Sequence, residues 1–411
     1  MANSPNGTLT PIDDALQLLL SSMDAIAESE TVTLDNALNR VLSQSISAPI
    51  AVPGYDNSAM DGYAVNSQDI LRGQTQFLVS QRIPAGSVGE ALLPQTLARI
   101  FTGAPVPEGS DAVIMQENCR IDGDLLIVEQ GVKAGENIRR AGADVEKGAP
   151  LFAAGQRLRG PDIGMLAGVG IDTVKVRRPL RVAVLTTGDE LIRPGQPLKA
   201  GQIYNSNFYT VSSLLRNLGH EVIDCGIVED TLEATESALR NAANKADCII
   251  SSGGVSVGEE DHVRHALERS GELNFWKLAI KPGKPFAFGR VENTPFFGLP
   301  GNPVSAFINF ALIVRPCLNR LQGVRDVPAI PWHLAADFKY GPTGVRQEYL
   351  RVRCVRKDQQ NVQLQLTGNQ SSGVLSSISA CDGLAIIPPK TSVLPGDLLR
   401  FLPLSEIVGQ V

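Results

Sequence analysis

Two lysines three residues apart, each followed by proline, stand in the stretch IKPGKPFAFG at residues 280–289. One reading is a strand entry with two solvated lysines ahead of Phe286, Ala287 and Phe288. The other is an anion seat. Proline after each lysine removes a backbone donor and stiffens the turn, so the ammonium groups of Lys281 and Lys284 are presented with little freedom left to lose. Ser305 of GNPVS would complete such a seat for an oxyanion. A second group of residues can hold a cation. TTGDE places Asp189 and Glu190 after one apolar run, Glu229 and Asp230 follow another, and SGGVSVGEED ends a third on Glu259, Glu260 and Asp261. Three converging carboxylates, Glu190, Asp230 and Asp261, suit a hard cation such as Mg²⁺, which takes oxygen ligands and keeps phosphate company. The adjacent glycines Gly253 and Gly254, with Gly258, let backbone amides approach a ligand closely. Asn302-Pro303 in GLPGNPVSAF reads as the cap and first turn of a helix whose positive end suits a phosphate. Each feature also has a plainer use: Asp230 and Asp261 fit as helix N-caps, Glu190 as a solvated loop residue and the glycine pairs as turns.

The elements that must position these groups alternate between residues 179 and 325. Strands fit 181–186, 221–228, 247–252, 274–280 and 295–299, and helices fit 204–218, 231–245, 261–270 and 303–321. Strict alternation predicts a mostly parallel sheet with helices on both faces, a three-layer α/β/α domain. In such a sheet ligands bind outside the carboxyl ends of the strands, where all four chemistry-bearing loops fall. Upstream, a helix fits 10–27, with Thr10 as cap and Pro11 in the first turn, and a second helix fits 34–43. From 46 to 178 short apolar runs broken by Gly and Pro, such as Asp122-Gly123 before LLIVE, read as mostly β. Pro328 and Pro331 mark a linker, and 332–411 reads as a small all-β domain. Neither an internal repeat nor a low-complexity segment is evident.

Composition narrows the function classes. A chain of 411 residues calls for more than one core, and 43% hydrophobic with 19% charged residues is a globular balance. A net charge of −6 without basic runs disfavours nucleic acid as a partner. The six cysteines are scattered with no C-x-x-C spacing, as expected of a reduced, cytoplasmic protein. The amino terminus lacks a signal-type core, and no apolar run approaches the roughly 18 residues that span a bilayer, so no membrane association is expected.

These motifs, together with PGYDNSAMDGYAV at 53–65 and FTGAPVPEG at 101–109, closely resemble the molybdopterin molybdotransferase family. This is the bacterial enzyme of molybdenum-cofactor synthesis, related to the gephyrin E-domain. The resemblance runs in the family's order over essentially the whole chain. It implies an enzyme that takes adenylated molybdopterin and molybdate, cleaves the adenylate with Mg²⁺ present and releases AMP. It also implies an elongated homodimer of four-domain subunits with composite active sites, and as partners the molybdopterin adenylyltransferase and apo-molybdoenzymes. The domains expected are 1–45 with 146–178, an inserted β-rich domain at 46–145, the α/β molybdopterin-binding domain at 179–327, and a C-terminal β-domain at 328–411.

Catalytic candidates are Asp61, Thr102, Glu190, Asp230, Asp261, Lys277 and Lys281, with Asp61 and Thr102 facing the acidic loops of a partner chain. Candidate substrate contacts in the α/β domain are Ser251, Gly253, Gly254, Ser256 and Gly258, then Lys284 and Pro285, then Pro300, Asn302, Pro303 and Ser305. Arg139 and Asp144 of NIRRAGAD match a further family segment, as do Arg346 and Arg351 of RQEYLR and Ser372 of NQSSGVLSS. Tyr349 stands where the family has Phe, which keeps the ring. Two other functions fit parts of these motifs. An adenylyltransferase that makes the adenylated pterin needs only about the length of 179–325, and a gephyrin-like scaffold calls for an extra fused domain or a long linker.

Overall fold

The computed structural model describes residues 9–254, 262–325, 332–358 and 361–408. Ser256, Gly258 and Asp261 lie outside the described residues. The chain divides into two compact units, one of Thr31–Leu38 with Gln44–Lys175, the other of Met1–Glu30, Asn39–Ser43 and Val176–Val411.

The first unit is built on a six-stranded sheet. Its order is Ala112–Met115, Gly62–Val65, Thr96–Ile100, Gln76–Ile83, Leu125–Val128 and Cys119–Asp122. Alternation along Gly62–Val65 sends Tyr63 and Val65 into one apolar cluster and Ala64 into another, so both faces are covered. Gly123 at φ +62° turns the hairpin between Cys119–Asp122 and Leu125–Val128, as its Asp-Gly step leads one to expect. The helix Gly160–Gly168 departs from the β texture. Its start is marked by Pro161-Asp162: Arg159 N–H donates to Asp162 Oδ2 at 2.8 Å, the return half of a capping box, and the Arg159 guanidinium donates to the same carboxylate.

In the second unit, Glu221–Val228, Arg181–Thr187, Cys248–Ser252 and Thr294–Leu299 pair in parallel in that order. Pro285–Val291 and then Gly271–Lys277 extend the sheet antiparallel. Helices Ile12–Ser21 and Ser206–Asn217 and the long helix Pro303–Leu321 pack on one face; Leu232–Ala243 and His262–Ser270 pack on the other. This is the three-layer arrangement expected, with one strand more. Phe286, Ala287 and Phe288 of the lysine stretch are buried in it, which explains the apolar run behind the lysines.

The long helix corrects one expectation. Pro303–Leu321 is apolar and long enough to cross a membrane by length and composition, but 72% of that window is buried inside the protein. It packs as the central core helix. Its ladder widens to a π-helical stretch at Phe310–Val314. Two amino-terminal expectations also change. The first helix is Ile12–Ser21 and carries no side-chain cap, because Thr10 is held elsewhere: its N–H donates to Lys277 O and its carbonyl accepts from Ala279 N–H. The helix expected at 34–43 is only a 3₁₀ turn at Leu34–Asn36; Asn39, at φ +63°, is incompatible with a continuing helix.

The carboxyl-terminal strands close on themselves. Gln347–Arg356, Val362–Leu366, Trp332–Ala336, Leu398–Pro403 and Gly383–Ile387 pair in sequence, and Gly383–Ile387 pairs back to Gln347–Arg356, giving a small barrel around Leu350, Val352, Leu364 and Phe401. The two-residue strand Ile280–Lys281 runs parallel along its outside, in register with Gln347 and Glu348.

Candidate active site

A cavity of about 890 Å³ opens at the carboxyl ends of the parallel strands. Its walls are the loops after Arg181–Thr187, Glu221–Val228, Cys248–Ser252 and Thr294–Leu299, with Gly373 and Leu375 from the barrel. Two asparagines brace these loops. Asn205 caps the helix Ser206–Asn217 by accepting from Phe208 N–H and donates to Thr186 Oγ1 at 2.8 Å. Asn207 donates to Ser252 Oγ and to the Gly301 carbonyl, both at 2.8 Å. Sequence reasoning did not reach this pair, although Asn205 ahead of the helix is an N-cap signature.

Glu190 and Asp230 both line the cavity. Gly188 sits at φ +140°, a backbone conformation that favours glycine, and the Glu190 carboxylate folds back over that turn. Among the described residues Glu190 has no cationic partner within ion-pair distance. Asp230 is not the helix cap; Thr231 takes that position and accepts from Ala234 N–H at 3.3 Å. The described residues hold no group of three metal-ligating side chains, so the expected trio reduces here to Glu190 and Asp230.

The glycine loop is shaped around Thr187. Gly253 and Gly254 have φ of +93° and +64°; a Cβ at 253 would lie 2.6 Å from Thr187 O, and one at 254 only 2.8 Å from Thr187 Oγ1. That hydroxyl is buried and has no hydrogen-bond partner among the described residues. Ser251 is fully buried, its hydroxyl donating to Gly253 O. Pro285, Pro300, Asn302 and Pro303 line the cavity, whereas Ser305 is buried in the helix behind them. Asn302 occupies the N-cap position without a side-chain bond, and the Ser372 carbonyl accepts from Val304 N–H at 3.1 Å. One of the helix's open donors is thus already taken by the chain.

The two lysines of the loop differ. Lys281 Nζ lies 3.3 Å from Glu348 Oε1, while Lys284 is exposed and makes no side-chain bond among the described residues. Lys277 is exposed at the end of its strand. Arg346 donates to Ile280 O at 3.3 Å. Arg351, a candidate substrate contact by its motif, is wholly buried. It donates to Ser377 Oγ, Tyr349 O and Ser371 O, and so braces the 371–377 loop from the strand face opposite the barrel core of Leu350 and Val352. Burial lowers its pKa, because no carboxylate among the described residues offsets the lost hydration. Burial pushes the Tyr349 phenol up to about 12.

Asp61 and Thr102 belong to the other unit, where they meet directly. Thr102 N–H and Oγ1–H donate to Asp61 Oδ1 at 2.8 and 2.7 Å, and these two bonds hold the carboxyl below the usual aspartate range. Asp56 accepts from Ala141 N–H at 2.8 Å and from Arg140, with the same effect. Arg139 pairs across the strand register with Asn57, bringing NIRRAGAD against the PGYDNSAMDG segment; Arg139 and Asp144 are exposed. Beside Asp61, the Arg99 guanidinium lies over the rings of Tyr63 and Phe101, 5.0 and 4.6 Å from their centroids.

Comparison with known proteins agrees along the whole chain. Residues 10–170 match the MoeA N-terminal region (domain I and II), 183–320 a probable molybdopterin binding domain, and 334–404 the MoeA C-terminal region (domain IV). A molybdopterin molybdenumtransferase of Haemophilus influenzae is 39% identical over 97% of this chain and 99% of its own. Gephyrin of Dictyostelium discoideum is 30% identical over 93% of this chain but 60% of its own. The crystal structure of a molybdopterin biosynthesis moeA protein from Pyrococcus horikoshii OT3 superposes with a TM-score of 0.82 at 29% identity, covering 96% of this chain and 99% of that one. From motif order, fold and near-full-length identity, the chain belongs to the molybdopterin molybdenumtransferase family, transferases of molybdenum-cofactor biosynthesis.

Proposed function

We propose that this chain inserts molybdenum from molybdate into adenylated molybdopterin, with Mg²⁺-dependent cleavage of the adenylate and release of AMP. One observation carries the reading. A single cavity joins Glu190 and Asp230 to two glycines whose backbone must be bare and to Pro285 of the lysine loop. Carboxylates and glycine backbone at the carboxyl edge, with the Lys281–Lys284 loop adjoining through Pro285, suit a phosphate with a cation beside an oxyanion.

Mg²⁺ fits the residues present, since it commonly takes one or two carboxylates together with substrate phosphates, and Glu190 has no competing cation among the described residues. Glu190 and Asp230 would hold it, with Asp261 as a third ligand. When bound, it supplies positive charge to the phosphate oxygens as the P–O bond breaks. The chain's own groups do the rest. Gly253 and Gly254, bare so that the turn can pack on Thr187, would offer backbone to the phosphate from the cavity wall, and Asn205 and Asn207 keep the loops at fixed separation. Lys284, Lys281 and Ser305 would seat molybdate, a dianion that must be matched by charge among apolar neighbours.

On this reading the protein works in the cytoplasm as a four-domain homodimer. Asp61 and Thr102 of one subunit complete the site of the other, and adenylated pterin arrives from the adenylyltransferase and leaves toward apo-molybdoenzymes. The test is AMP release by the purified protein from adenylated molybdopterin, with and without molybdate. Molybdate-stimulated release is expected. Formation of the adenylated pterin from ATP, without such release, would assign the chain the adenylyltransferase reaction instead.

A further inference from the structure

The lysine loop is fixed at several points, and the fixings treat its two lysines unequally. Asn309, wholly buried in the helix Pro303–Leu321, donates from Nδ2 to Pro285 O at 3.2 Å. Its Oδ1 lies where a Cβ on Gly283 would come within 2.6 Å. Leu278 N–H closes the loop by donating to Lys284 O at 2.8 Å. Lys281 is further set by its register opposite Glu348. Glu348 is a buried acid, its side chain 5% exposed, and both of its oxygens are occupied: Oε1 by Lys281 Nζ at 3.3 Å and Oε2 by the Tyr340 hydroxyl at 2.7 Å. Lys281 is its only cationic partner among the described residues within ion-pair distance.

A carboxylate this buried is costly to leave unpaired, whereas Lys281, whose side chain is 49% exposed, exchanges partners readily. Lys281 can therefore turn to an incoming anion only at the expense of Glu348. We propose that Glu348 is a positioning residue that withholds Lys281 from the anion seat, so that Lys284 makes the first contact and the seat binds more weakly than two free lysines would. Tyr340 moderates this. Its hydroxyl shares the carboxylate charge and loosens the hold on Lys281. The proposal rests on the reading that this loop seats molybdate.

The experiment titrates the full-length protein with molybdate alone, by calorimetry, and records the melting temperature of each variant. Glu348→Gln keeps the side-chain shape and removes the charge. It should tighten molybdate binding about three- to tenfold, a range discounted for a half-exposed lysine side chain. General damage to the fold loosens a site, so a tightened site is a result that a purely structural role for Glu348 does not give. Tyr340→Phe leaves the carboxylate more dependent on Lys281 and should loosen binding about twofold. Lys284→Ala should weaken it at least tenfold. Should Glu348→Gln fail to fold, Tyr340→Phe decides: looser binding at an unchanged melting temperature supports the proposal, and unchanged binding, or loosening that comes with a lowered melting temperature, overturns it. Equal or weaker binding by folded Glu348→Gln, with Lys284→Ala still weakened, overturns the proposal and spares the molybdate seat. If Lys284→Ala binds as the wild type does, the seat lies elsewhere and the proposal falls with it.

Discussion

At the amino ends of the parallel strands, Asp247 sits between two arginines. Arg178 grips it through both oxygens at 2.6 and 2.8 Å, and Arg181 adds its backbone N–H at 2.7 Å and a guanidinium bond at 3.3 Å. Burial works to raise that carboxyl, and the arginine bonds outweigh it and hold it below the ordinary range. At the carboxyl ends of the same strands Glu190 is folded over a glycine, with no arginine or lysine at ion-pair distance among the described residues. An acid that serves the fold is neutralised by the fold. One left open beside glycines and a cavity keeps its charge for something that arrives, and the difference separates structural from functional carboxylates without reference to any ligand.

The largest effect should come from the open end. Glu190→Gln should cut AMP release about 100-fold, the scale of losing one preorganised charge-stabilising group, while the melting temperature stays put. Asp247→Asn should do the reverse, costing roughly 2–4 kcal/mol in a urea titration at pH 7 with little change in turnover per folded molecule. Its pH dependence follows from the lowered pKa. The stabilisation is fully present above about pH 4 and is lost as pH falls through the depressed folded value, so the variant and wild type should converge in acid.

Next in size is an intermolecular test, since Asp61 is exposed and already bonded to Thr102. Asp61→Ala and Glu190→Ala, each inactive alone, should give heterodimers that, once separated from the two homodimers, regain roughly half the wild-type rate, as one composite site in two is then intact. Heterodimers no better than either parent would mean that each chain works alone. The smallest effect is expected at Thr187, whose hydroxyl is buried without a partner among the described residues. Thr187→Val should leave stability unchanged or raise it by up to ~1 kcal/mol. If that hydroxyl waits for the adenylate, binding should also fall about threefold; undiminished binding would make it a packing feature only.

Much of this comparison could be read from sequence because buried parallel strands are short, continuous apolar runs. RVAVLT and DCIISS announce themselves, and the residues after them fall at the carboxyl edge by topology alone. What stayed hidden depended on register or on which way a charged side chain points. Lys281 meets Glu348 through a pairing between segments 67 residues apart, which no local pattern encodes. Arg351 looks like a strand-exterior residue, and it does face away from the barrel core, but the 371–377 segment covers it. FAFG joins the sheet antiparallel, and an apolar run carries no mark of strand direction. The helix expected at 34–43 failed for a local reason, a left-handed Asn39 inside an otherwise acceptable pattern.

The measurement that bears most directly on the account is a crystal structure of this protein soaked with AMP and molybdate. The account predicts the AMP phosphate in the cavity beside Glu190 and the Gly253–Gly254 turn, and molybdate at Lys284 on the same rim. Both anions bound away from that cavity, in crystals of protein that still releases AMP, would contradict it.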